Sequence, residues 1–79
     1  MRLDKFLKTS RLIKRRTVAN EACDNGRVLL NGKVARASAA VKEGDIIEIS
    51  FGDKTLKVQV QEVREAVKKE EATKLFKYL

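Results

Sequence analysis

Apolar residues recur at Leu3, Phe6 and Leu7, the i, i+3, i+4 spacing of one helix face, and predict a short amphipathic helix over residues 2–9. On that helix Lys5 and Lys8 lie opposite the apolar stripe, and Arg2 sits beside it near the helix start. A second helix is predicted over about residues 14–25, with Val18, Ala19, Ala22 and Cys23 as its buried side. Gly26 follows Asp24 and Asn25 and is placed to end this helix in the left-handed conformation. Period-two alternation then takes over. Arg27-Val28-Leu29-Leu30 leads into Asn31-Gly32, a strong hairpin signal, and Lys33-Val34-Ala35 returns. Residues 37–43 read as a connecting loop closed by a Gly44-Asp45 turn. Ile47, Ile49 and Phe51 alternate inward against Glu48 and Ser50. Gly52-Asp53 then turns the chain into Leu56, Val58 and Val60, which alternate with Lys57, Gln59 and Gln61. Behind the charged stretch KKEEA, Ala72, Leu75, Phe76 and Leu79 follow i, i+3, i+4, i+7 and predict a helix at the carboxyl end.

These elements predict an α+β fold: two short N-terminal helices packed on a small, mostly antiparallel sheet, with a C-terminal helix. A chain of 79 residues has room for one core. Residues 1–64 are expected to form the domain, and residues 65–79 a helix packed on it or extending it.

Charge sharpens this picture. The net charge is +7, and residues 1–36 hold ten basic side chains against three acidic ones, whereas residues 37–79 hold eight of each. All of the excess lies in the first half, a one-sided field suited to a polyanion. No apolar run approaches the roughly 20 residues that span a bilayer, and no signal peptide is recognisable, so no membrane partner is expected. The one cysteine, Cys23, has no partner for an internal disulfide, and a reducing cytoplasm is the expected setting.

Catalytic chemistry finds little support. The chain has no histidine, which removes the usual neutral-pH base and the commonest metal ligand. Cys23 alone makes no zinc site and falls on an apolar helix face, where it reads as core. Ser10, Ser38 and Ser50 have no histidine to activate them. No Gly-rich phosphate loop is present. Asp4, Glu21 and Asp24 read as surface ion-pair partners. A non-enzymatic protein without cofactor or metal is expected.

What remains is the basic set Arg2, Lys5, Lys8, Arg11, Lys14, Arg15 and Arg16, with Arg27, Lys33 and Arg36 further on. A merely solubilising surface would intersperse acidic residues, as the second half does. The stretch RLIKRRT at 11–17 places four cations where a helix is predicted to start, against the helix dipole. Free amides at a helix start favour anions, so Lys14-Arg15-Arg16 and those amides are placed to converge on phosphate. The aromatics Phe6, Phe51 and Phe76 read as core, which argues against a base-stacking platform and for gripping backbone phosphates, as suits a folded RNA, although composition alone does not separate RNA from DNA.

RLDKFLK at 2–8, SRLIKRRT at 10–17, NGRVLLNGK at 25–33 and VKEGDIIEI at 41–49 together resemble the αL RNA-binding motif, over roughly residues 2–51. The order of parts agrees: short helix, basic link, second helix ended by Gly, strand and NG turn. Among small standalone bacterial members the chain resembles the ribosome-associated heat-shock type and, more closely and through KKEEA, the RqcP-like proteins of ribosome-associated quality control. That resemblance implies a cytoplasmic protein, monomeric off the ribosome, that binds large-subunit rRNA and peptidyl-tRNA. It would act with an RqcH-type tailing factor to support C-terminal alanine tailing of stalled nascent chains. By position it implies Arg2 and Arg16 as the leading RNA contacts, with Lys5, Arg11, Lys14 and Arg15 in support. Asp4 would orient an arginine or favour the first helix turn. A generic rRNA-binding heat-shock or assembly factor is the alternative.

Overall fold

The first helix starts where the chain first finds acceptors for its exposed amides. The computed structural model describes residues 1–79. In it α1 spans Leu3–Thr9, and its leading amides are satisfied from a distant loop: Leu3 donates to the Ala39 carbonyl at 2.8 Å and Asp4 to that of Ala37 at 3.1 Å. A bridge between Arg2 and Ala40 and a bond from Val41 to the Met1 carbonyl extend this seam. Leu3, Phe6 and Leu7 are fully buried, as their spacing predicts.

The chain leaves α1 through Ser10 and a left-handed Arg11 (φ 63°), buries Ile13, and enters α2 at Arg16–Asp24. This helix begins two residues later than predicted, with Arg15 extended at its N-cap. Its buried stripe is also narrower. Ala19 and Cys23, one turn apart, are buried, while Val18 is 47% exposed. Small side chains at the contact let α2 lie close to α1, and a residue 100° away around the helix is then left outside. Gly26 ends the helix at φ 74°, with Arg27 donating to the Ala22 carbonyl.

Five antiparallel strands follow in the order β2-β1-β3-β4-β5: β1 Val28–Leu30, β2 Lys33–Val34, β3 Ile46–Phe51, β4 Lys54–Val60 and β5 Phe76–Tyr78. Asn31 (φ 53°) and Gly32 (φ 84°) both take the positive φ that a two-residue hairpin turn requires. Asn31 also locks this turn to the next strand, donating to the buried Asp45 carboxylate at 3.1 Å and accepting from the Ile46 amide. A Cβ on Gly32 would meet nothing within 4 Å, so Gly32→Ala costs backbone conformation alone. We expect about 1 kcal/mol, read as a thermal midpoint lowered by roughly 4–8 °C.

Val28, Ile47, Ile49, Val58 and Val60 form the inner sheet face and meet the helices in one core. Phe51 departs from expectation: the residue is 47% exposed. Alternation chooses its face, but Phe51 pairs with Lys54 at the hairpin tip, at the rim of the helix layer. The carboxyl end departs too. It is a 3-10 helix over Lys69–Leu75, and its last residues continue as a strand instead of a helix. Ala72 and Leu75 fall three apart, which the 3-10 repeat stacks on one face, and both are buried. Phe76 then enters the core as the first residue of β5, opposite Val60, and Leu79 is exposed. Unpaired donors and acceptors along β4 favour this strand over a further helical turn.

Candidate nucleic-acid interface

Asp4 is the centre of the basic half. It lies in the first turn of α1 with its side chain 3% exposed, a costly place for a carboxylate unless its oxygens are bonded. They are. Oδ1 accepts from the Lys5 amide at 2.8 Å and from Arg2 Nε at 3.1 Å. Oδ2 accepts from Arg2 at 3.3 Å and from Asn20 Nδ2 at 3.2 Å, with Arg16 Nε at 3.5 Å. Burial pushes this carboxyl's pKa up, but bonds from Arg2 and Asn20 and the Arg16 guanidinium outweigh it and hold the group below its ordinary value. Asp4 is thus an ion-pair partner that orients arginines, as expected, but it is a buried anchor where the sequence reading placed it at the surface.

The anchor presents two arginines. Arg2 and Arg16 come from different helices, meet on one carboxylate, and keep side-chain exposures of 51% and 48%. One negative charge between two guanidiniums leaves a net positive pair facing outward. Asp4 also supplies the compensation for Arg16 at the unfavourable start of α2 that the sequence alone does not reveal. Arg16, Thr17, Asn20 and Glu21 line a cleft beside this pair. Asn20 was missed in the sequence, although it sits one turn beyond Arg16 on the same face of α2, a spacing that could have found it.

The other cations form a second group. Lys8, Arg11 and Lys14 line one groove of about 140 Å³ with Thr9, Glu65, Ala66 and Val67. Lys8, part of the basic set though not among the contacts the resemblance implied, lies one turn beyond Lys5 on α1. Lys5 itself is ion-paired with Glu65. Arg15 is exposed at the N-cap of α2, and no carboxylate lies within 4 Å of Lys8, Arg11, Lys14 or Arg15. The amides of Arg16, Thr17 and Val18 have no acceptor in the protein. Seven cations over residues 2–16 therefore meet two carboxylates, Asp4 and Glu65. Arg27 lies apart from both groups, in a cleft with Val18 and Phe51.

Cys23 is buried, as its helix face predicts, and burial together with Asp4 and Asp24 pushes its thiol up to about 11. It is protonated at neutral pH. Folded protein should react with a thiol reagent at least tenfold more slowly than protein in denaturant, followed by absorbance. No helix is long and apolar enough to cross a membrane.

Comparison with known proteins agrees with this geometry. The model of the S4 domain family matches residues 1–47. The RQC P-site tRNA stabilizing factor of Halalkalibacterium halodurans is 58% identical over 96% of this chain and 86% of its own length. That of Bacillus subtilis is 54% identical over 100% of this chain and 92% of its own. The solved trimeric structure of Vibrio cholerae heat shock protein 15 superposes with a TM-score of 0.92 at 28% identity, covering 100% of this chain and 81% of that one. A family model over more than half of the chain and relatives above 50% identity over nearly all of it place the chain in the S4 domain family, within its group of RQC P-site tRNA stabilizing factors.

Proposed function

We propose that this chain is an RNA-binding factor of ribosome-associated quality control that clamps rRNA and tRNA phosphates on the large ribosomal subunit. One observation carries the reading: Arg2 and Arg16 converge on the buried Asp4 while staying half exposed. Guanidiniums held this way keep their outward N–H groups for phosphate and lose little freedom on binding. Lys8, Arg11, Lys14 and Arg15 and the free amides of α2 add contacts along the same basic stretch. Lys5 joins them once released from Glu65.

In this reading the protein bridges large-subunit rRNA and the peptidyl-tRNA of a stalled chain, and so holds the tRNA while an RqcH-type partner adds C-terminal alanine. It does so by electrostatic clamping without bond chemistry. The relatives named for stabilising a P-site tRNA support this reading over that of a generic rRNA-binding heat-shock factor. Both readings require binding to the large subunit. Only the favoured one requires that deleting the gene abolish alanine tails on a reporter chain stalled in the cell. Tails that persist at wild-type level in the deletion strain would leave the heat-shock reading standing.

A further inference from the structure

We propose that the groove between α1 and residues 65–67 is a phosphodiester-binding site, and that Glu65 holds this place in the free protein until RNA displaces it. The inference rests on the RNA-binding reading above and names a second contact site, separate from the Asp4-anchored pair.

The groove has one cationic wall, Lys8, Arg11 and Lys14, and one wall from the later half, Glu65, Ala66 and Val67. None of the three cations has a carboxylate within 4 Å. Arg11 reaches this wall from a left-handed backbone, with its amide donating to the Lys8 carbonyl at 3.0 Å, a conformation a non-Gly residue adopts at a cost. Among the eight carboxylates after residue 36, only Glu65 is ion-paired with a basic residue of the first half, through Lys5. Lys5 lies one turn before Lys8 on α1, so Glu65 sits at the rim of the cationic wall.

Its attachment is weak. The Glu65 side chain is 76% exposed and belongs to a stretch with neither helix nor strand. The partly buried Val63 and Val67 hold that stretch on the core on either side. An exposed ion pair contributes little to stability, whereas a phosphate meeting Lys5, Lys8 and Arg11 together makes several charge-assisted bonds. Glu65 therefore keeps Lys5 oriented and yields to a polyanion that engages the whole wall. The neighbouring Arg64 is already occupied by Glu62 and Glu71 and does not compete for the site.

The test measures affinity for fluorescein-labelled bulk bacterial tRNA by anisotropy and for purified large subunits by sedimentation. Glu65→Gln should tighten binding about two- to fivefold, the range that loss of an exposed ion pair allows. Glu70→Gln makes the same change of net charge at an exposed site outside the groove and should give less than half that gain. In a Lys8→Ala, Arg11→Ala background the gain from Glu65→Gln should vanish. Equal effects of the two Glu substitutions, or a gain that survives loss of Lys8 and Arg11, would overturn the groove assignment. Wild-type protein that binds neither RNA would instead overturn the RNA-binding reading itself.

Discussion

Raising salt fourfold, from about 50 to about 200 mM, should weaken binding to large subunits by a few hundredfold. The reason is counterion release: each phosphate neutralised by a bound cation contributes nearly one unit of log–log slope. The basic stretch carries five positive charges beyond those matched by Asp4 and Glu65, which gives a slope of about −4 if four of them meet phosphate. Replacing both Arg2 and Arg16 by Ala should bring this slope to about −2 and weaken binding at low salt by at least about a hundredfold, since each charge-assisted contact is worth about 1.5–3 kcal/mol. Filter binding over a salt series measures both numbers. A slope unchanged by the double substitution would remove these two arginines from the phosphate contacts, whatever the affinity.

Asp4 carries the second large effect. Asp4→Ala leaves the Lys5 amide and Asn20 without their acceptor and sets two guanidiniums side by side. We expect a loss of about 2–3 kcal/mol in urea unfolding, a large share of the stability of so small a domain. Asp4→Asn preserves shape and raises the net charge by one. If long-range charge alone governed RNA binding, this variant would bind more tightly. It should bind several-fold more weakly, because Arg2 and Arg16 lose the group that aims them.

The same carboxylate sets an acid limb. Asp4 has its folded pKa held below the ordinary value of 3.8, so its contribution is fully present above that value. Between 3.8 and the lower folded pKa the unfolded chain takes up the proton first, and stability falls as pH falls. Below the folded pKa the contribution is gone. Asp4→Asn should flatten this limb of the stability–pH curve, read by denaturant midpoints from pH 6 to pH 2.

Much of this molecule was legible in its residues. Leu3, Phe6 and Leu7 set the buried face of α1, Asn31-Gly32 the first hairpin, and Gly26 the end of α2, because each signal acts within one or two turns of chain. The clustering of cations before residue 17 was equally plain, since it needs only counting. Periodicity misled where it described a face without saying how far the opposing layer reaches. Val18 and Phe51 have the right spacing for burial and lie at its rim. Ala72, Leu75 and Phe76 are buried as read, but open hydrogen-bonding groups along β4 draw the last residues into a strand.

The arrangement of the charges was legible only in part: the family resemblance implied that Asp4 orients an arginine, and the structure has it hold two. That Asp4 is buried, and that it holds Arg2 together with Arg16, depends on α1 and α2 crossing at that point. That Glu65 meets Lys5 depends on a stretch sixty residues away being laid along α1 by its flanking valines. Local sequence determined which residues are apolar, which are cationic and where the chain turns, because those properties act over a few ångströms of contiguous backbone. Only the tertiary structure decided which cations are anchored, which are matched and which stay free, because pairing across space depends on the packing of the whole core.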